Sequence, residues 1–184
     1  CLTNLRIAGH EFLAPGVSIS RGTYFFAGGP LKLNKVEQVS ANVVAASNET
    51  AAIRYEFGDK EMTWQLTNKS DASLVFFLVL SKEVQSAFNQ ADEAIALPIN
   101  ESWANVTVVA GDAQLSINGC DKLWGPWQGP HQVCQVSLKP YEQKSLGLSV
   151  GKVSAKRHGE VVALFPRISE TALRLYSPQE YQVF

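Results

Sequence analysis

The chain has 184 residues, 46% of them hydrophobic and 18% charged, with a formal net charge of −1. That length suits one domain with a sizeable core, and the near-zero charge excludes the broad positive field that gathers nucleic acid or anionic membrane. No apolar run approaches the roughly 20 residues of a membrane helix, and the thin charged surface predicts that a neighbour covers part of it.

Residues 1–184 read as one β-sandwich domain, standing alone or within a longer chain. Cys1 is followed at once by Leu2-Thr3-Asn4-Leu5-Arg6-Ile7, which alternates like a strand. A first-residue Cys is read either as a lipidated anchor or as a boundary whose cysteine partner lies elsewhere. A strand near 22–27 leads into Gly28-Gly29-Pro30, a turn that opens no helix and therefore cradles no phosphate. A strand follows over 36–46. Ala51, Ile53, Tyr55 and Phe57 then alternate with polar residues, Gly58-Asp59 turns the chain, and Met62, Trp64 and Leu66 alternate again. Asn68-Lys69-Ser70-Asp71 makes a second turn before the run Leu74 to Leu80, so the segment reads as a three-stranded meander. The Leu74 to Leu80 run is apolar at every position, which predicts cover on both faces, by loops of the same chain or by a docked partner.

One helix is predicted, over Lys82 to Gln90. Strands follow at 104–110 and 113–118 around a Gly111-Asp112 hairpin, then at 132–138 and 144–150 on either side of the corner Lys139-Pro140-Tyr141-Glu142. The basic cluster Lys156-Arg157-His158 is short, lacks aromatic interleaving and reads as a solvated turn. Two further strands are expected, at 160–165 and 171–176. The final alternation Gln179 to Phe184 predicts either continuation into another domain, with Tyr181 and Val183 at the junction, or a last edge strand. Many short strands punctuated by Gly, Pro, Asn and Asp argue for an all-β fold, a two-sheet antiparallel sandwich of supersandwich or jelly-roll type with at most one short helix.

The chemistry-bearing segment is Cys120 to Cys134. A disulfide across its neck, between flanks that alternate like paired strands, would close about 15 residues and contribute about 3 kcal/mol, and would persist in an oxidising compartment. Inside it Gly125-Pro126 holds Trp124 and Trp127 apart. Indole faces on a stiff loop stack on the apolar faces of sugars, and Asp121, Gln128 and His131 are placed to hydrogen-bond hydroxyls. The alternative is that the indoles fold back and cap the end of the sandwich.

Register offers a second feature: with Gly58-Asp59 as the hairpin tip, Glu56 faces Glu61. Opposed carboxylates suit glycoside hydrolysis or calcium, although Arg54 and Lys60 lie within reach to neutralise them. No nucleophile elbow, zinc-protease helix or Cys-x-x-Cys is present, and His10, His131 and His158 are scattered singly. No catalytic residue, metal site or cofactor is therefore assigned. Asn-x-Ser/Thr occurs at Asn48, Asn68, Asn100 and Asn105, where nine asparagines would give about one match by chance.

Asn4 to Leu13, the pair Arg54-Tyr55-Glu56-Phe57 and Met62 to Asn68, and Leu138 to Glu142 before Ser145 to Leu148 resemble β-sandwich domains that accompany large secreted carbohydrate-active enzymes, including galactose-mutarotase-like supersandwiches. The resemblance implies an accessory role, since the chain is shorter than a mutarotase and no catalytic His and Glu pair can be placed. The expectation is thus a non-catalytic glycan-binding or accessory domain at an extracellular, periplasmic or cell-surface location. Its partner would be carbohydrate or a neighbouring catalytic domain, with no nucleic acid and no transmembrane segment. The alternatives are a structural or adhesive module that binds protein through the apolar strand, and a small glycan-processing enzyme that uses the carboxylate pair.

Overall fold

The computed structural model describes residues 2–15, 21–96, 100–127, 129, 131–152, 172–175 and 181–183. In chain order the strands are β1 (Leu2–Ile7), β2 (His10–Glu11), β3 (Thr23–Phe26), β4 (Pro30–Leu31), β5 (Lys35–Ser40) and β6 (Val43–Ser47). Next come β7 (Ala51–Phe57), β8 (Glu61–Asn68), β9 (Leu74–Val79), β10 (Ser86–Phe88), β11 (Ala94–Ile95), β12 (Asn100–Glu101) and β13 (Asn105–Ala110). The series ends with β14 (Ala113–Asn118), β15 (Lys122–Trp127), β16 (His131–Leu138), β17 (Gln143–Lys152), β18 (Ala172–Leu175) and β19 (Tyr181–Val183).

The fold is an all-β antiparallel sandwich. A nine-stranded sheet runs β11-β10-β13-β14-β17-β8-β7-β6-β5 and a six-stranded sheet runs β12-β15-β16-β9-β3-β4. A four-stranded sheet, β19-β18-β1-β2, contributes Leu2, Leu5 and Ile7 to the same core. Alternation fills that core from both sides: β8 buries Met62, Trp64 and Leu66, and β9 buries Leu74, Phe76 and Leu78. Trp64 and Phe76 meet edge-to-face across the two sheets at 6.5 Å, and Tyr55 packs on Trp64 at 5.4 Å. Such pairs add about 0.5–1.5 kcal/mol each beyond the area they bury.

Several expectations are corrected. The meander does not form, because β8 pairs with β7 and β17 while β9 crosses to the six-stranded sheet between β3 and β16. The flanks of the cysteine segment also part company, β14 lying in one sheet and β16 in the other. The 36–46 strand breaks into the β5–β6 hairpin at Ala41-Asn42. No helix forms over Lys82 to Gln90. Val84 and Ala87 are buried at a helix-like spacing, but Ser86–Phe88 instead pairs with β13 and extends that sheet. The β7–β8 register is Tyr55↔Trp64 and Glu56↔Thr63, two residues from the expected one, so Glu56 and Glu61 are not opposed. A shift of two keeps every side chain on its face, so matching the apolar faces could not detect it.

The strands over 113–118 and 172–175 form where expected, as do the Gly111-Asp112 hairpin and the Gly28–Pro30 turn. Residues 181–183 are the edge strand of the four-stranded sheet. Cys1, the basic cluster at 156–158 and the expected 160–165 strand lie outside the described residues. Among those described, no helix is long and apolar enough to cross a membrane.

Two of the crossovers between the sheets, from β8 to β9 and from β16 to β17, meet at Asn68, which is 1% exposed. Its amide nitrogen donates to the Ala72 and Lys139 carbonyls at 2.7 and 2.8 Å. Its side-chain oxygen accepts from the Ser70 N–H and hydroxyl at 2.9 and 2.8 Å. A buried amide with its hydrogen-bonding capacity filled in this way fixes a corner.

Candidate ligand-binding face

The strand without alternation leads to the site. On β9, Leu74, Phe76 and Leu78 enter the main core, and Val79 on the other face belongs to a second cluster with Ala14, Tyr24 and Val133. Half-buried Phe26, Phe77, Trp124 and Trp127 pack against that cluster. The outer face of the six-stranded sheet is therefore aromatic, with rings drawn from β3, β9 and β15.

Tyr24 and Phe77, directly opposite in register, have centroids 5.3 Å apart. Phe77 meets Trp124 edge-to-face at 6.1 Å, and Trp124 meets Trp127 edge-to-face at 5.4 Å. The Trp124 indole N–H donates to the Gln135 side-chain oxygen at 3.0 Å, which pins the ring over β16. The Trp127 indole N–H is buried without a well-formed hydrogen bond. It lies close enough to the Tyr24 hydroxyl to favour ionisation slightly, while burial, the larger effect, raises the Tyr24 pKa.

Residues 124 and 127 are three apart and would point to opposite faces of a regular strand. The register shifts by one between them, from Trp124↔Val133 to Trp127↔His131, and this bulge returns both indoles to one face. Gly125 permits it, because the Gln132 carboxamide occupies the space that a Cβ at Gly125 would need.

The cysteine segment is thus a strand hairpin and not a free loop. Its tryptophans touch instead of standing apart, and they lie on the sheet face instead of capping the sandwich end. Asp121 is otherwise engaged, accepting from the Ser137 N–H at 2.6 Å and pairing with Lys144 at 3.1 Å. His131 is buried, its Nδ1 3.0 Å from the Leu80 carbonyl, which makes it a tie between β16 and the end of β9. Gln128 lies outside the described residues. Cys120 and Cys134 are both buried thiols in the structure, in contact with each other and without the expected bridge. Tyr24, Phe26 and Phe77 were not singled out from the sequence. Their signal was the doubly apolar β9 together with the run Tyr24-Phe25-Phe26.

A concavity lies on the nine-stranded sheet. It is a polar cleft of about 180 Å³ lined by Asn89, Asp92, Asn105, Thr107, Ser116 and Asn118, among others. Among the described residues no cluster of His, Cys, Asp or Glu is arranged to hold a metal.

No family model matches the chain, and no curated protein matches it in sequence. Among solved structures, a protein of Escherichia coli K12 provisionally assigned as an aldose 1-epimerase is similar over 82% of this chain and 79% of its own, at 9% identity and a TM-score of 0.45. The Slr1438 protein of Synechocystis sp. PCC 6803 is similar over 81% of this chain and 88% of its own, at 11% identity and a TM-score of 0.44.

Proposed function

We propose that the chain is a non-catalytic, glycan-binding accessory domain of an extracytoplasmic carbohydrate-active protein, and that it binds through the outer face of its six-stranded sheet. One observation carries this reading: a strand bulge brings Trp124 and Trp127 onto the same face, beside Phe77 and half-buried. Because the two indoles are edge-to-face, at 77°, one presents its face while the other buttresses it. A single pyranose stacks on such a surface through its C–H groups, and a run of sugars extends along the ridge toward Phe77 and Phe26.

The test is affinity electrophoresis of the chain against a panel of neutral and acidic polysaccharides. Retention by at least one polymer is expected, with loss on combining Trp124→Ala and Trp127→Ala while the circular-dichroism spectrum stays sheet-like. Unretarded migration on every polymer would overturn the proposal.

A second reading has support of its own. Val75 and Phe77 extend the apolar surface along β9 beyond the indoles, as a face that docks on a catalytic domain would. Free sugar in excess competes away retention under the first reading and leaves a protein complex intact under the second.

A further inference from the structure

We propose that Cys120 and Cys134 form a redox pair that closes to a disulfide and locks the base of the β15–β16 hairpin. The pair rests on core geometry and is independent of the glycan reading. If the β15–β16 ladder simply continued past Lys122↔Gln135, residue 120 would fall opposite Ser137. The chain turns there instead. The Asp121 N–H donates to the Gln135 carbonyl at 2.9 Å, and the Cys120 thiol donates to the Lys122 carbonyl at 3.1 Å.

That turn folds the Cys120 sulfur back over β16, 3.8 Å from the Gln135 carbonyl and against Cys134, its neighbour on the inner face. The two residues are 1% and 0% exposed and share one core cluster with Leu123 and Val136. Cys120 sits where the chain passes from the nine-stranded to the six-stranded sheet. A bond at this point joins that crossover to β16, the strand paired with the one that carries both indoles.

The chemistry balances with a small-molecule disulfide as oxidant. One cysteine, as thiolate, attacks oxidised glutathione and expels one glutathione thiolate, leaving a mixed disulfide. The second cysteine thiolate displaces the other glutathione and forms the internal S–S bond. Two cysteine sulfurs are oxidised, two glutathione sulfurs are reduced, and the two thiol protons pass to the departing thiolates. Burial, then the hydrogen bond and charge of Cys120, then the Asp121 carboxylate, push the Cys134 thiol pKa well up. The packed pair therefore reacts slowly, and oxidation proceeds while the hairpin is open, during folding or local unfolding.

The experiment refolds the full chain in a mixture of reduced and oxidised glutathione, then quenches in acid, alkylates in denaturant and digests with trypsin. Cleavage after Lys122 puts the two cysteines on different peptides. A linked pair through Cys120 and Cys134 is expected, with an unfolding midpoint about 6–10 °C above that of the dithiothreitol-reduced chain. The Cys120→Ala, Cys134→Ala variant should lose that difference. Both sites alkylated, both separately glutathionylated, or either joined to Cys1 would overturn the pair, and the unmutated chain is enough to show any of these. A linked pair with no midpoint shift would overturn the lock.

Discussion

The outer faces of the two large sheets are built on opposite chemistry. The nine-stranded sheet shows solvent Thr63, Gln65, Gln114, Ser116, Ser145 and Ser149, each alternating with a buried apolar neighbour. The cleft described above is lined mostly by amides and hydroxyls, with the Asp92 carboxylate, and two of the hydroxyls, on Thr107 and Ser116, already bond each other at 2.9 Å. The outer face of the six-stranded sheet carries Phe26, Val75, Phe77, Trp124 and Trp127, all half-buried. Water satisfies the first face as it stands. The second keeps apolar surface only partly withdrawn from water, and a ligand removes the remainder.

The largest expected effect tests whether the outer aromatics are truly unlike the core. Trp64→Ala, at a fully buried position, should cost about 3–5 kcal/mol in urea unfolding. The Trp124→Ala, Trp127→Ala variant removes half-buried rings and their edge-to-face contacts and should cost about 1–3 kcal/mol. Equal losses at the two places would erase the distinction between core and face.

Gly125→Ala comes next, since its methyl must displace the buried Gln132 carboxamide. A cost of about 1–3 kcal/mol is expected, together with weaker polysaccharide retention as Trp127 loses its alignment. Full retention would show that the bulge does not set the face.

Alkali probes the junction behind the aromatic face. Tyr55 reaches the Leu2–Thr23 contact, where its hydroxyl is buried without a well-formed hydrogen bond. Burial raises its pKa well above the ordinary 10.0, outweighing the Thr23 hydroxyl and the Leu2 backbone, which pull it down. The folded state thus holds the phenol proton more tightly than the unfolded chain does. Its contribution is complete below pH 10 and is lost as pH rises through the folded value. The unfolding midpoint should therefore fall above about pH 10, and Tyr55→Phe should flatten that fall. An unchanged slope in the variant would assign the alkaline loss elsewhere.

The smallest effect belongs to the polar cleft. Ser116→Ala and Asn118→Ala should each change stability by about 0.5 kcal/mol or less and leave polysaccharide retention intact. Loss of retention there would move the ligand to the other sheet and reverse the comparison.

Face was legible from the sequence, but partner was not. Period two placed Ile53, Tyr55, Trp64 and Leu66 inside, and the structure keeps them there. It could not tell that β9 leaves β8 for the other sheet, because inward alternation is the same on either side of a sandwich. The doubly apolar β9 and the Trp124, Trp127 pair located the candidate face. The bulge that unites them was hidden, since Gly125-Pro126 in a cysteine-framed segment reads as a loop. Asp121 and His131 looked like ligand groups because a polar residue near an aromatic one gives no sign of which backbone group it already holds.

The corner at Asn68 sets a race. Asn68-Lys69-Ser70 is an acceptor sequence for N-linked sugar, yet the amide nitrogen that would carry the sugar holds the Ala72 and Lys139 carbonyls inside the protein. The modified side chain and the closed corner are mutually exclusive. In a host that glycosylates nascent chains, whichever comes first, the transferase or the closing of the corner, decides whether a molecule can fold. Yield there would follow the speed of the enzyme as much as the stability of the sandwich, whereas a host without the enzyme runs no such race.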